Sequence, residues 1–143
     1  MASISRHLSV MQQVKRINKQ LSATAEKCSG PVGDTLLTQA ALVASEIRGM
    51  APIDPTSKTP GALRDSVRVE EGGPTSKKAF TAKIKAGNAI TNASGYNYAR
   101  AIEFGTVNMP AQPFFFPIWR ARKKAVKAVV RKAIKQAVRG VFS

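Results

Sequence analysis

The side chains that usually act as acid, base, nucleophile or metal ligand are few in this 143-residue chain: eight carboxylates, one histidine and one cysteine. The carboxylates are Glu26, Asp34, Glu46, Asp54, Asp65, Glu70, Glu71 and Glu103. Only Glu70 and Glu71 are adjacent, and neighbours on a strand point to opposite faces, so they make no acid–base pair. A single histidine, His7, gives no His-based metal site and no relay partner. It reads as a surface or helix-edge residue. A single cysteine, Cys28, excludes an internal disulfide and a thiolate metal site, and reads as a small residue at a helix end. There is no phosphate-cradling loop and no nucleophile elbow. The expectation is a protein without a catalytic site, cofactor or metal.

Lysine and arginine provide the remaining polar chemistry. They number 23 against 8 acids, a net charge of +15. Such a balance invites an anionic partner: nucleic acid, an acidic protein surface or anionic lipid. The excess is concentrated at one end. No acid follows Glu103, while Arg120, Arg122, Lys123, Lys124, Lys127, Arg131, Lys132, Lys135 and Arg139 do.

Elements that would carry these residues can be read from periodicity. Helical spacing over about 4–26 (Ile4, Leu8, Met11, Val14, Leu21, Ala25) predicts a first helix. Residues 28–33, with Gly30, Pro31 and Gly33, act as a breaker, and Asp34 then caps a second helix over about 34–50. That helix is apolar over most of its circumference and is expected to be the most buried element. Residues 51–62, holding Pro52, Pro55, Pro60 and Gly61, form a loop, long enough to reach a partner. Alternation over about 63–70 and 79–86, on either side of a turn at Glu71–Ser76, predicts an antiparallel hairpin. Residues 88–94 are a candidate for a short third strand. Tyr96 to Phe104 reads as a short helix closed by Gly105, with a strand as the competing reading. A long helix over about 114–141 ends the chain. Its apolar stripe (Ile118, Trp119, Val126, Val129, Val130, Ala133, Ala137, Val141) lies opposite a basic face of Arg120, Lys123, Lys124, Lys127, Arg131, Lys135 and Arg139. With no repeat and no linker, the chain reads as one α+β domain spanning 1–143.

Three readings of the basic face stand side by side: a solvated surface, a row of phosphate contacts, and a membrane-lying helix. Nine cations without an acid depart from the usual mixing of signs on a soluble surface. The Ala- and Val-rich stripe favours packing on protein over anchoring in lipid. No apolar run approaches the roughly 18 residues of a membrane span, and the N-terminus lacks a signal-peptide core. The block Pro113-Phe114-Phe115-Phe116-Pro117-Ile118-Trp119 holds three of six Phe and the only Trp. Three consecutive rings cannot all face one core, so at least one belongs at an intersubunit contact or under the adjoining loop.

Three segments then match a known pattern in order. Ala51-Pro52 with Thr59-Pro60-Gly61-Ala62-Leu63-Arg64-Asp65-Ser66-Val67, Tyr98-Ala99-Arg100-Ala101-Ile102-Glu103-Phe104-Gly105-Thr106, and Ala111-Gln112-Pro113-Phe114-Phe115-Phe116-Pro117 resemble the tail-completion or head–tail joining proteins of tailed double-stranded DNA bacteriophages. Pro60 departs from the pattern, where a polar residue is usual. The resemblance implies a virion structural protein of the neck, assembled in the host bacterial cytoplasm. It implies a homo-oligomeric ring, most often a hexamer, between head connector and tail tube and around the DNA channel. Leu63, Arg64, Arg100, Glu103, Phe104, Gly105, Pro113, Phe114, Phe115, Phe116 and Trp119 are then candidates for contact with a second copy or with neighbouring neck proteins. Glu103 has two readings: a buried or interfacial carboxylate paired with an arginine, such as Arg64 or Arg100, across a subunit boundary, or a surface acid on a short helix. The basic face could line the channel, in non-specific contact with double-stranded DNA, or dock on acidic neighbours; a protein neighbour or the outer rim is favoured, since strong attraction would hinder DNA sliding. The alternative from another class is a small nucleic-acid-binding protein acting through that helix. A membrane-active basic protein is the third and weakest.

Overall fold

The computed structural model describes residues 2–72 and 80–143, with side chains of the first helix described from Ser9. Helix α1 runs unbroken from Ala2 to Met50 and carries Pro31 inside it. The two helices expected at 4–26 and 34–50 are therefore one, and the breaker at 28–33 does not break. The inward positions explain it. Ala25, Ser29, Val32, Leu36, Ala40, Val43 and Ile47 stay in helical phase across Pro31 and pack on one side. A continuous buried face outweighs the roughly 3 kcal/mol that proline costs a helix interior. Local bonds add support: the Ser29 hydroxyl donates to the Glu26 carbonyl at 2.7 Å, and the Thr35 hydroxyl to the Pro31 carbonyl at 2.9 Å. The side chains of Ile4, His7 and Leu8, to which the sequence assigned faces, lie outside the described residues.

After a loop at 51–61, a single helical turn, α2 (Ala62–Asp65), stands where the hairpin was expected to begin. Leu63 and Val67, four apart, are both buried, a spacing that alternation and one helical turn satisfy equally. Ser66 decides between them. It is buried, and its hydroxyl donates to the Leu63 carbonyl at 2.6 Å while accepting the Gly87 N–H at 2.8 Å. Such local bonding competes with a ladder. The hairpin itself is shorter than expected: β1 (Arg68–Gly72) pairs antiparallel with β2 (Thr81–Lys85), Val69 opposite Ile84 and Glu70 opposite Lys83. The tip of the expected turn, 73–76, and the first residue of the expected second strand lie outside the described residues. Phe80 lays its ring on Gly33, where a Cβ would come within 2.8 Å of the ring.

No third strand forms at 88–94. The Asn88 side-chain oxygen accepts the N–H groups of Ile90 and Thr91, at 3.0 and 3.1 Å, and holds the segment in turns. Helix α3 (Tyr98–Phe104) resolves the helix-or-strand question at 96–104 in favour of helix. Asn97 caps it by accepting the Arg100 N–H at 3.0 Å, and Gly105 ends it with φ at +76°. Helix α4 (Phe116–Phe142) closes the chain. It runs back along α1: the Arg122 guanidinium meets Glu46 at 2.7 Å, and Val126 sits by Leu36, Gln39 and Val43.

The result is a small α+β fold, with a two-stranded sheet and α3 gathered at one end of an α1–α4 helical pair. The core is Val43, Ala44, Ile47 and Ala51 from the end of α1, with Leu63, Val67, Ala99, Ile102 and Phe114. Val69, Ile84 and Ala86 cover it from the hairpin side. Arg48 ties the parts together, its Nε and Nη2 both donating to the Val67 carbonyl at 2.9 and 2.7 Å.

Candidate functional site

Helix α4 begins at an unusual junction. Its first N–H groups have no partner within the helix, and short polar side chains usually cap them. Here the preceding residues are Pro113, Phe114 and Phe115, which have no side-chain acceptor. Glu103, the penultimate residue of α3, supplies one. Its Oε2 accepts the N–H of Phe114 at 2.8 Å and of Phe115 at 3.0 Å, and its Oε1 accepts the N–H of Phe116 at 3.0 Å. Glu103 is 6% exposed. It sits where the positive end of the α4 dipole favours an anion. Glu103 is thus buried, as one reading held, but backbone amides satisfy it. Neither Arg64 nor Arg100 is within ion-pair distance of it among the described residues. Arg64 instead meets the adjacent Asp65 at 3.3 Å on the surface.

The tight turn between α3 and α4 lets Glu103 reach that far. The Gly105 N–H donates to the Ala101 carbonyl at 2.7 Å, Thr106 and Met109 bridge, and the Gln112 N–H donates to the Ile102 carbonyl at 2.8 Å. A Cβ on Gly105 would lie 2.8 Å from the backbone nitrogen of Ala111, so only glycine fits.

This junction divides the three phenylalanines. Phe114 is fully buried, Phe115 is half-buried, and Phe116 is exposed. Phe115 meets Phe114 edge-on at a centroid distance of 6.4 Å, and Phe116 at 5.5 Å. Phe116 also leans on Phe104, 5.9 Å away. Phe104 is 64% exposed although its neighbours Ile102 and Glu103 are buried. Two open grooves flank this ridge. One, of about 290 Å³, is bounded by Ile84, Ala86, Arg100, Phe104, Phe114 and Phe116. The other, of about 250 Å³ and mostly apolar, is bounded by Leu36, Gln39, Val43, Phe115, Trp119 and Val126.

Of the candidate contact residues, Arg100, Glu103, Phe104, Phe114, Phe115 and Phe116 therefore meet around one groove, and Trp119 stands on the adjoining one. Leu63 is in the core, Arg64 is on the surface beside Asp65, Gly105 forms the turn, and Pro113 is exposed on the approach to α4. Ile84, Ala86 and Leu36 were not among the candidates. Their signal was the apolar phase of strand and helix, which the sequence assigned to the core alone.

On α4 the seven residues of the basic face, Arg120, Lys123, Lys124, Lys127, Arg131, Lys135 and Arg139, are all exposed. Among the described residues none of them has a carboxylate in ion-pair range; Arg122, which turns toward α1, is the α4 cation that does. No group of three or more His, Cys, Asp or Glu gathers where it could hold a metal among the described residues. No described helix is long and apolar enough to cross a membrane. No family model, no curated protein and no solved structure matches this chain.

Proposed function

We propose that this chain is a structural subunit of a tailed-phage neck. In this reading it assembles in the host cytoplasm into a virion ring that joins the head connector to the tail around the DNA channel. The observation that carries the reading is the exposed aromatic ridge of Phe104, Phe116 and Trp119 on a rigid junction. Large rings held half out of solvent on a fixed backbone concentrate binding energy at interfaces. The three phage-like segments support it as well. Leu63 and Val67 of the first, Ala99 and Ile102 of the second, and Phe114 of the third share one core cluster, and Glu103 ties the second to the third. A ridge at the start of α4, continuous with its basic face, suits a heterologous contact that closes by rotation. Negative-stain electron microscopy of the purified protein at moderate salt tests this. Rings with an open centre wide enough for duplex DNA are the expected result. Particles that stay small, alone and with a purified connector or tail tube, would refute it.

A second reading, a nucleic-acid-binding protein, draws on the seven cations of the α4 basic face, which have no carboxylate in ion-pair range among the described residues. Its signature is a DNA affinity that falls steeply with salt and does not depend on sequence. Replacing Lys123, Lys127 and Arg131 by Gln would lower that salt slope by about one for each phosphate contact removed.

A further inference from the structure

Helix α1 outruns the rest of the fold. Its half-buried positions against α4 end at Ser22, and α4 ends at Phe142. Every described side chain from Ser9 to Leu21 is exposed. The helix beyond Ser22 has about 20 residues, so it projects about 30 Å at 1.5 Å per residue. Helices in proteins draw most of their stability from packing one face, and this stretch packs no described side chain on the rest of the chain.

The projecting arm has an ordered surface. Val10, Val14, Ile17 and Leu21 are all exposed and recur at steps of four, three and four. That is a heptad seam, with Val14 and Leu21 at its a positions and Val10 and Ile17 at its d positions. The flanking e and g positions are Met11, Asn18, Gln13 and Gln20, all uncharged. Lys15, Arg16 and Lys19 fall at b, c and f, on the far side.

We propose that the arm pairs with the arm of a second copy of this chain, seam to seam. The placement of charge selects this occupant. An acidic partner helix would be met by cations at the flanks, and the flanks have none. A lipid surface asks for a broad apolar face rich in aromatic residues, and this seam is narrow and has no aromatic residue. A second copy presents the same aliphatic seam, and the uncharged flanks place no like charges against each other. The cost comes from the bodies, each strongly cationic, so added salt strengthens the pairing by screening their repulsion. This inference stands apart from the neck reading and does not use the aromatic ridge.

Sedimentation equilibrium of the full chain tests it, against the double variant Val14→Asp with Ile17→Asp. Both positions are exposed, so circular dichroism and thermal unfolding should show the variant folded. The expected result is a self-association that strengthens with salt in the native chain and weakens roughly tenfold or more in the variant. The apolar control Val14→Ile with Ile17→Leu retains it. Equal association in native chain and Asp variant overturns the proposal, as does a native chain that stays monomeric at high salt. So does binding to vesicles of mixed neutral and anionic phospholipid without self-association. Rings that persist in the Asp variant with unchanged association refute arm pairing and leave the neck reading standing. Arm pairing in a native chain that forms no rings, alone or with a purified connector or tail tube, does the reverse.

Discussion

The carboxylate of Glu103 accepts the backbone N–H of Phe114 at 2.8 Å, so the last turn of one helix caps the first turn of the next. Phe115 and Phe116 donate to the same group, and three amide protons converge on two oxygens. The side chain thereby holds Phe114 in the core and leaves Phe116 outside.

Removing that acceptor should be costly. Glu103→Ala strands three N–H groups at a buried helix start, and we expect a loss on the order of 2–4 kcal/mol. Glu103→Gln keeps one carbonyl oxygen, able to serve Phe114 and Phe115, and should lose about half as much. Urea unfolding of the two variants checks the order; equal losses would mean that the negative charge, more than the geometry, is what matters.

Two phenylalanines at this tie, Phe114 within it and Phe104 next to Glu103, should behave in opposite ways. Phe114→Ala empties a fully buried site and should cost about 3–5 kcal/mol. Phe104→Ala removes a ring that is mostly in solvent, and should change stability by no more than about 0.5 kcal/mol while weakening assembly. Thermal unfolding reads the first effect, and ring counts in micrographs the second.

Gly105→Ala should fail at the turn. The residue has φ at +76°, and the new Cβ would strike the backbone at Ala111, where neither atom can rotate away. A loss of about 2–3 kcal/mol or more is expected in chemical denaturation.

The hairpin should show an acid limb. Lys85 hydrogen-bonds the Glu70 carboxylate and holds its pKa below the ordinary glutamate value; Arg68, at 2.9 Å, adds to this against an opposing desolvation. A carboxyl lowered in the folded state stabilises above its unfolded pKa and loses that contribution as pH falls through the folded one. Glu70→Gln should therefore flatten the decline of stability on the acid side of the ordinary glutamate range. The pair is open to solvent, so salt should flatten it too. A pH series of melting temperatures, native against Glu70→Gln, tests this; parallel curves would rule it out.

The sequence signals that proved readable were those in which one period dominated. Helix α4 was visible in its stripe and basic face, and α3 in the Gly105 that ends it. The continuity of α1 was hidden because Pro31 and its glycines are local signals, while the face that overrides them is built with α4, a hundred residues on. Helix α2 was read as strand because Leu63 and Val67 fit both periods, and only the partners of Ser66 distinguish them. Glu103 was singled out in the sequence, but its partner was sought among arginines. Backbone amides carry no letter in a sequence, so a carboxylate that serves them cannot be matched by residue type.

An α1 without a joint has a mechanical consequence. Forty-nine residues at 1.5 Å each make a rod of about 73 Å whose far half is bolted to the core by Val43, Ala44 and Ile47. A load applied toward its N-terminal end is not absorbed by a linker. It arrives at the body as torque, greatest where the arm leaves its packing near Ser22.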